Sequence, residues 1–486
     1  MSRGSSRVLG GALVLVGALM AWSGLRPSGP EVAPESFAFF NFDRPGINAH
    51  NSPAAAADPG RAGSVAMADR IDTPDFSCSV SVSRNAAVTW RPLALPLPAG
   101  VPNCYWPDVG FDGGGRLLVL YTATGGQFNL PVGVWLQPLR EGVADGPAVR
   151  VAGTEAFHAR MAVRGSTVVV AYVQAAPATV DQGVGFAPAP NPIMVTRSID
   201  GGASFSPAVA VSEPSRRAVL PSVNLGPGGQ VVVGALDLVD DVDDYEGRHG
   251  GQGGEPVDGH WSVVAYRSTD GGASFGPASV VSDDLEIPQR IIVNLGPSPR
   301  FAWDQDRDRL YATWDAGRGD GRDVFLARSD DGGASWSEPA AVARRRGTQQ
   351  LPTVGVAPDG RVDLLFYDRS ADPRDEDTEV AFASSWDGGR SFTTAMVSRS
   401  PFDSRIGFGS SQGIPLLGSQ LATLSRADGA TGFWADTRRA TEDNNAQELA
   451  LAQVKIDRGG DRRWALGAAG IALAGGGAFV AGRRRP

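Results

Sequence analysis

Short runs of alternating apolar and polar residues, each ended by a turn, follow one another along most of this chain. Residues 350–369 read QLPTVGVAPDGRVDLLFYDR and residues 219–237 read VLPSVNLGPGGQVVVGALD, and residues 106–121 and 298–315 have the same shape. Each segment predicts a short apolar strand, a Gly- or Asp-bearing turn and an alternating strand. A variable loop, a third strand and a fourth strand follow, so each unit is predicted to form a four-stranded antiparallel sheet.

A nearly identical eight-residue turn joins the third and fourth strands of four units. Its aspartate can accept hydrogen bonds from backbone N–H groups a few residues on, and its Gly-Gly pair permits positive φ. The aromatic residue at its end starts the next strand. A hairpin turn that recurs at a period near 60 residues indicates duplication of one supersecondary unit. The turns are residues 198–205, 268–275, 329–336 and 385–392, and their structural aspartates are Asp200, Asp270, Asp331 and Asp387.

These turns resemble the Asp-box, or BNR, repeat (S-x-D-x-G-x-S/T-W/F) of sialidases and other β-propeller proteins. Degenerate copies at residues 83–90 and 138–145, and a last two-strand segment at 418–438, bring the count to seven units. The chain is therefore predicted to be all-β, a single propeller of seven four-stranded antiparallel blades, with six blades as the alternative. Residues 35–42 (ESFAFFNF) are predicted to pair as the outer strand of the last blade, because an open ring leaves unpaired edges.

Two apolar stretches flank the repeats. Residues 8–25, behind two arginines, read as a secretory signal or a signal anchor, and the weak cleavage signature favours an anchor. Residues 464–482 carry no charge and precede three arginines, which predicts a transmembrane helix over 464–486 with a cytoplasmic Arg tail. A buried Ala/Gly helix is the alternative for this second stretch. Residues 26–34 and 458–463 are then a linker and a tether around a propeller over 35–457.

Charge and cysteine content narrow the partners and the compartment. The 486 residues carry a formal net charge of −9, and the repeats contain no basic run longer than the three arginines at 344–346, so nothing supports nucleic-acid binding. Cys78 and Cys104 are the only cysteines. In an exported chain they predict one disulfide between blades 1 and 2, with two unrelated thiols as the alternative. Together these features predict a propeller at the cell membrane, on its extracytoplasmic side.

Candidate site residues follow each second strand, because those ends and the blade connections share the propeller face on which ligands normally bind. Arginine forks hold carboxylates, and paired carboxylates or a tyrosine serve glycosyl transfer. The alternative is that these residues form ion pairs and turn caps. The catalytic candidates are Tyr367, Asp368, Asp69 and Asp436, and the substrate-binding candidates are Arg70, Arg369, Arg438, Asp315, Asp237 and Trp434.

An acidic insertion follows the second strand of unit four, at residues 238–260. Asp241, Asp243 and Glu246 are candidate Ca²⁺ ligands there, because hard oxygen ligands crowd a Gly-rich loop. The spacing does not match an EF-hand loop, and a solvated acidic flap is the alternative. The four scattered histidines do not predict a catalytic zinc site, and no other cofactor is predicted.

The resemblance to exported sialidases implies an Arg-Ile-Pro motif at the first blade, three arginines that clamp the sugar carboxylate, a Tyr/Glu nucleophile and an Asp acid/base. Here the opening reads Phe42-Asp43-Arg44-Pro45, so the isoleucine is missing and no catalytic residue is carried over by motif. Two functions remain: a sialidase-type glycoside hydrolase acting on anionic glycans, or a non-catalytic module that binds a glycan or a surface protein. The sequence predicts no oligomeric state.

Overall fold

Seven four-stranded sheets make up the described part of the chain in this computed structural model, which confirms the predicted seven-bladed propeller. In each of the first six blades the strands run in chain order from the innermost to the outermost. The structure describes residues 31–40, 49–72, 76–125, 130–175, 180–181, 185–186, 191–214, 216–239, 260–286, 298–318, 321–406, 417–441, 444 and 446–457.

The strands of the first six blades alternate in direction. Blade 1 contains His50–Ala57, Val65–Ile71, Ser77–Ser83 and Arg91–Leu93; blade 2, Asn103–Phe111, Leu117–Gly125, Leu130–Arg140 and Val149–Ala152; blade 3, Ala156–Arg164, Thr167–Gln174, Ile193–Ser198 and Val209–Ala210; blade 4, Ala218–Leu225, Val231–Asp237, His260–Ser268 and Ser279–Glu286; blade 5, Arg300–Asp304, Arg309–Arg318, Gly321–Ser329 and Ala340–Ala343; blade 6, Gln349–Val356, Val362–Asp368, Asp377–Ser385 and Thr393–Met396.

Short elements complete the described secondary structure. Val143–Ala144 and Phe402–Asp403 pair at the margins of blades 2 and 6, and Val180–Asp181 pairs with Gly185–Phe186. Pro227–Gly229 forms one 3-10 turn in the hairpin between the first two strands of blade 4. None of the described residues forms a helix with the length and hydrophobicity needed to cross a bilayer. The two predicted membrane segments, 8–25 and 464–482, lie outside the described residues.

Blade 7 is closed by a strand from the start of the chain, as predicted. Its strands, from the axis outward, are Ala422–Arg426, Gly429–Asp436, Glu448–Asp457 and Glu31–Phe40. The closing strand begins at Glu31, four residues before the predicted start, inside the segment that was predicted to be a linker. The Phe37 ring lies 5.7 Å from the Trp434 ring, and the Arg438 guanidinium lies 5.2 Å above Phe37. The closing strand therefore pairs with the outer edge of Glu448–Asp457 and gives blade 7 its fourth strand.

The chain forms two compact units. Pro34–Val454 is one of them and holds the propeller. The other consists of Met1–Ala33 and Lys455–Pro486, of which only residues 31–33 and 455–457 are described.

The four eight-residue turns at 198–205, 268–275, 329–336 and 385–392, here called the box turns, are held by a repeated hydrogen-bond pattern. In blade 4 the Asp270 carboxylate accepts the N–H groups of Ala273 (2.9 Å) and Ser274 (3.0 Å), and Ser268 Oγ accepts the N–H of Gly272 (2.8 Å). Gly271 and Gly272 have φ of 74° and 84°, the left-handed region that favours glycine. Asp200, Asp331 and Asp387 accept equivalent bonds in blades 3, 5 and 6. In blade 3, hydrogen bonds from Ser198 and Ser204 lower the pKa of Asp200 to about 2.

The apolar core lies between neighbouring blades. Between blades 4 and 5, for example, Trp261, Phe301, Trp314 and Phe325 pack in one buried cluster. The contact is close enough that a Cβ on Gly234 would lie 1.9 Å from the Phe301 ring, so this strand position accepts no side chain. Packing of this kind joins each sheet to the next, and it fixes where the inner strands stand around the axis.

The predicted disulfide is present. Cys78, in the third strand of blade 1, bonds Cys104, in the inner strand of blade 2, with the two Cα atoms 5.6 Å apart. Cys104 is buried in the cluster between these blades. The bond therefore ties the first two blades together at the upper ends of their strands.

Replacing both cysteines with alanine is expected to lower the free energy of unfolding by about 3 to 4 kcal/mol, because the bond closes a 26-residue separation that the unfolded chain otherwise samples freely. Urea unfolding of the oxidised and reduced wild-type chain, beside the double variant, measures this. Reduced wild type and the double variant should agree. A variant as stable as the oxidised chain would contradict the expectation.

Candidate active site and axial arginine cluster

The propeller has two faces, which differ in their turns. The box turns and the hairpins between first and second strands lie on one face, here called the box face. The ends of the second strands and the connections between blades lie on the other, here called the upper face. All the predicted site residues lie at second-strand ends, so they belong to the upper face.

Four of the five predicted aspartates accept one backbone N–H and pair with an arginine, and in Asp237, Asp368 and Asp436 that N–H belongs to their own turn, whereas Asp315 accepts the Leu351 N–H of blade 6. Asp237 accepts the Val239 N–H (2.9 Å) and the Arg216 Nε–H (2.7 Å). Asp368, Asp315 and Asp436 make the same kind of double contact, with Arg345, Arg322 and Arg438 as their arginines. All four carboxylates are buried.

The three predicted arginines make local contacts rather than a shared clamp. Arg70 is fully buried, with Nε 2.7 Å from Asp72 Oδ1 and its guanidinium 4.6 Å from the Tyr105 ring. Arg369 donates to Ser404 Oγ (2.8 Å), Thr378 Oγ1 (3.1 Å) and a backbone carbonyl. Arg438 donates to Asp436 and lies over Phe37 and Phe39 of the closing strand.

The remaining predicted residues are also buried. Tyr367 is fully buried, and its hydroxyl donates to the Ala435 carbonyl (2.9 Å) and accepts the Ala435 N–H (3.1 Å). Burial raises the pKa of Tyr367 well above its usual value. Asp69 Oδ2 lies 2.6 Å from His50 Nδ1, and Trp434 Nε1 donates to Asp436. The catalytic and substrate-binding roles assigned to these residues stay predictions, and their contacts are those of the ion-pair and capping alternative.

The candidate Ca²⁺ ligands Asp241, Asp243 and Glu246 lie outside the described residues. Within the described ranges, no three His, Cys, Asp or Glu side chains come together as metal ligands.

A recurring backbone irregularity builds a second site, which the sequence reasoning missed. The inner strands of blades 1, 2, 3, 4 and 6 each shift register at one point near the upper face. A non-glycine residue with φ between 52° and 55° sits at every shift. Such β-bulges re-aim the side chains that follow them. The residues at the five shifts are Ser52, Trp106, His158, Leu220 and Leu351.

The residue two positions after each bulge residue points to the propeller axis. This is evident because Arg160 and Arg300, from blades 3 and 5, both reach Gln420 of blade 7, and these blades are not neighbours. The chemistry of the position differs from blade to blade. Its occupants in blades 1 to 7, matched by the repeat, are Ala54, Asp108, Arg160, Ser222, Arg300, Thr353 and Gln420.

Two guanidiniums share one neutral acceptor at the axis. Gln420 Nε2 donates to the carbonyls of Ser52 (3.2 Å) and Pro53 (3.0 Å), which orients its Oε1. That oxygen accepts both Arg160 Nη2–H and Arg300 Nη2–H. We call Asp108, Arg160, Arg300 and Gln420 the axial arginine cluster.

The electrostatics of the cluster are dominated by burial. Burial lowers the pKa of Arg160 to about 10, with Asp108 opposing the shift. Burial and repulsion by Arg160 lower the pKa of Arg300 to about 9. Asp108 lies within range of both arginines, and its oxygens accept the backbone N–H groups of Val109 (2.9 Å) and Met161 (3.0 Å). Burial raises the pKa of Asp108, against the attraction of Arg160. The cluster therefore carries more positive than negative charge.

An aromatic wall stands beside the cluster. The Trp106 ring lies 4.0 Å from the His158 ring, and the guanidiniums of Arg160 and Arg70 lie 5.5 and 5.8 Å from Trp106. Trp106 is buried, and among the described residues its Nε1–H has no hydrogen-bond partner. A buried donor without an acceptor costs free energy unless a ligand or water supplies one.

The axis continues as a cavity towards the box face. It has a volume of about 420 Å³, and its lining includes Phe111, Val163, Leu225 and Trp303. Arg164 of blade 3 bonds Gln305 of blade 5, and Gln305 Nε2 also donates to the Leu225 carbonyl of blade 4 (2.7 Å). The arginine cluster therefore occupies the upper part of the axis, and a largely apolar cavity lies on the box side.

Comparison with known proteins identifies neighbours of this fold. No family model matches the sequence, and no curated protein matches it. A polysaccharide lyase, an ulvan lyase of family PL25, has a TM-score of 0.51 at 12% identity over 87% of this chain and 95% of that chain. A protein of unknown function from Dyadobacter fermentans has a TM-score of 0.48 at 14% identity, over 87% and 99%. A Hadza microbial sialidase has a TM-score of 0.44 at 14% identity, over 84% and 68%. The likeness to the ulvan lyase is a likeness of fold alone.

Proposed function

We propose that this chain is a membrane-anchored, extracytoplasmic β-propeller that recognises an anionic glycan, with a sugar carboxylate held by Arg160 and Arg300. One observation carries the proposal: the guanidiniums of buried Arg160 and half-buried Arg300 converge on a single neutral oxygen, Gln420 Oε1. Buried charges are costly unless they are paired, so retained positive charge at a solvent-linked axis is expected to serve an anion.

The donor set fits a carboxylate. Arginine forks bind carboxylates through two parallel N–H bonds, and Arg160 and Arg300 both project from inner strands, which hold them firmly. Asp108 is the nearby counter-charge, and backbone N–H groups already occupy both of its oxygens. A ligand carboxylate would displace the weak acceptor Gln420 and supply the missing negative charge.

The wall fits a sugar. The Trp106 ring is buried, and its Nε1–H, which has no hydrogen-bond partner among the described residues, offers a donor to a sugar hydroxyl oxygen. The ulvan lyase neighbour is also known with -[GlcA(1-4)Rha3S]- bound, an acidic saccharide. That ligand belongs to that protein, and the assignment made here depends on the arginines and on the wall.

Hydrolysis of the bound glycan is the second candidate function, and it rests on a different observation. Burial raises the pKa of Asp108, and a general acid in glycoside hydrolysis must hold its proton near neutral pH. Recognition without turnover remains our first proposal because Tyr367, Asp368, Asp69 and Asp436 are all buried and occupied by other groups.

Calorimetric titration of the full-length chain tests recognition. Sialylated and glucuronate-containing oligosaccharides are compared with their carboxyl-reduced counterparts. The acidic forms should bind at least about tenfold more tightly, since a hydrogen bond to a charged group contributes about 1.5 to 3 kcal/mol. Equal affinity for acidic and reduced sugars would refute the proposal. Release of reducing ends by the wild type but not by an Asp108→Asn variant would establish the second candidate.

A further inference from the structure

We infer that the box face of the propeller lies against the lipid bilayer, so that the upper face and the axial arginine cluster point away from the membrane. The inference rests on the membrane anchoring in the proposed function, and it adds an orientation and a contact surface. Three observations carry it: where the strands lead, how short the tether is, and which face exposes apolar side chains.

Both ends of the propeller lead to the box face. In the closing strand, Phe37 and Phe39 meet Arg438 at the upper end of blade 7, so this strand runs upward from the box face. The strand Glu448–Asp457 runs the other way. Gln453 Nε2 donates to the Ala86 carbonyl (2.7 Å), in the degenerate box turn of blade 1. Neighbouring strands therefore carry both predicted membrane segments away at the same face and the same blade.

The tether after the last strand is short. Six residues, 458–463, separate Asp457 from the predicted transmembrane helix. Fully extended, six residues span at most about 20 Å. Blade 7 is therefore held within about that distance of the bilayer surface, whereas an upper-face contact would need a tether that also crosses the height of a blade.

The exposed large apolar side chains are concentrated on the box face. Ile199 is 77% exposed, Val143 67%, Val88 66% and Trp386 37%, and all four lie in box turns or degenerate copies of them. Exposed apolar groups gathered on one face mark a contact surface, and tryptophan favours the membrane interface. Val280, on the outer strand of blade 4, is the other such residue among those described.

The apolar positions follow one continuous arc of the ring. They belong to blades 6, 1, 2 and 3, which together with the tethered blade 7 form an arc centred on blade 1. Blades 4 and 5 lie opposite that centre. In their boxes Thr269 and Asp330 replace the apolar residues that blades 3 and 6 present as Ile199 and Trp386. The same turn position is thus apolar on the arc that contains the anchored blade and polar on the opposite side of the ring, as a tilted contact with a lipid surface requires.

Site-directed fluorescence tests the orientation. The full-length chain is reconstituted in vesicles of phosphatidylethanolamine and phosphatidylglycerol, and single cysteines carry an environment-sensitive fluorophore. Both natural cysteines are bonded to each other, so the introduced thiol is the free one. The variants are Ile199→Cys and Trp386→Cys on the apolar arc, Thr269→Cys at the same turn position in blade 4, and Thr154→Cys at the exposed upper face.

Lipids with a nitroxide headgroup should quench probes at 199 and 386 several-fold more than the probe at 154, with 269 between them. An eight-residue strand spans about 27 Å, so the two faces differ well beyond collisional range. Equal quenching, or strongest quenching at 154, overturns the orientation. If the probes at 199 and 386 are protected from a soluble quencher to the same extent with and without vesicles, protein rather than lipid covers this face. That result also overturns the inference.

Flotation of the vesicles separates this inference from the proposal on which it rests. A chain that does not float with the lipid refutes the anchoring and the orientation together. A chain that floats but shows no face-specific quenching refutes only the orientation. Glycan binding is measured in a separate experiment, so its result does not affect the interpretation of flotation or of quenching.

Discussion

The double variant Arg160→Gln, Arg300→Gln is expected to lose affinity for a carboxylate-bearing oligosaccharide by about a thousandfold. Each guanidinium supplies a charge-assisted hydrogen bond of about 1.5 to 3 kcal/mol, and the two losses together correspond to roughly 10² to 10⁴ in the dissociation constant. Each single variant should lose part of this. Titration calorimetry measures the change, with affinity for the carboxyl-reduced sugar as an internal reference.

Arg344→Gln is the matched control for this experiment. Arg344 is exposed on the upper face, in the connection between blades 5 and 6, and it lies off the axis. Its replacement removes the same charge from the same face and should change the affinity by less than about threefold, as surface charges contribute little. Loss of binding in the control and in the axial variants alike would point to a general electrostatic effect of the face and would contradict a specific clamp.

The stability of the axial variants gives a second readout. Burial and mutual repulsion act against the charges of Arg160 and Arg300, so their removal should not lower the free energy of unfolding. A structural role would produce the opposite result, with reduced stability and only a secondary loss of binding. Chemical denaturation beside the titrations therefore distinguishes a binding pair from a structural one.

The same cluster gives the affinity a pH dependence of known sign. As pH falls through the raised pKa of Asp108, protonation removes the negative charge beside the arginines, so anion affinity should rise while the ligand stays ionised. Above about pH 9, Arg300 loses its proton and affinity should fall. In an Asp108→Asn variant the acid limb should disappear and the alkaline limb should remain.

An Arg361→Ala variant is expected to lose about 3 to 5 kcal/mol of unfolding free energy, as when one partner of a buried ion pair is removed. Arg361 and Asp363 are fully buried, with Nε 2.8 Å from Oδ1 and Nη2 2.9 Å from Oδ2. Arg361 also donates to the carbonyls of Arg426 (2.7 Å) and Gly429 (2.9 Å) in blade 7. The substitution therefore leaves the buried Asp363 carboxylate without its arginine and removes the hydrogen bonds from Arg361 to blade 7.

Arg426→Ala is the control for this loss. Its guanidinium lies 3.5 Å from Asp428, a mostly exposed carboxylate, and donates to Thr431 Oγ1 (2.6 Å), so its removal should cost at most about 2 kcal/mol. The double change Arg361→Met, Asp363→Leu should recover most of the stability, because it removes both charges together. Urea unfolding followed by circular dichroism measures all three. A small loss in Arg361→Ala, comparable with the control, would contradict the assigned role.

The blades and the strand that completes blade 7 were predictable because short local sequence patterns specify them. A box turn needs Asp, two glycines and an aromatic at fixed offsets, and a ring needs an orphan strand to close it, which the apolar segment at residues 35–42 supplied. The start of that strand was placed four residues late. Pro34 stood at the boundary, and proline is tolerated in an edge strand, where no ladder bond needs its missing N–H.

The axial arginine cluster was not predictable in the same way. Arg160 and Arg300 are 140 residues apart in sequence, and Arg160 follows a register shift in its inner strand that no local sequence pattern announces. A signal was nevertheless present. Pro follows the bulge residue in four inner strands, and the next position varies from alanine to arginine while its neighbours stay apolar. A repeat position that varies in polarity within an inner strand indicates where side chains of different types meet at the propeller axis.

The second-strand ends were placed on the correct face, but local chemistry occupies them. Asp237, Asp368 and Asp436 each accept the N–H two residues on. This is the Asx-turn spacing, which the sequence already contains. A carboxylate that caps its own turn and holds an arginine has few lone pairs left for a substrate, so the role of this ring as a substrate site stays a prediction.

The closing strand also sets the order of events during biosynthesis. Glu31–Phe40 leaves the ribosome before any blade, yet its hydrogen-bonding neighbour, Glu448–Asp457, is the last strand of the ring to be translated. Six blades can form while the first strand waits with its aromatic residues unburied, and joining ends so distant in the chain is slow. A chain terminated before residue 448 retains an open seam that proteases and aggregation can exploit. Completion of the ring thus requires translation through residue 457.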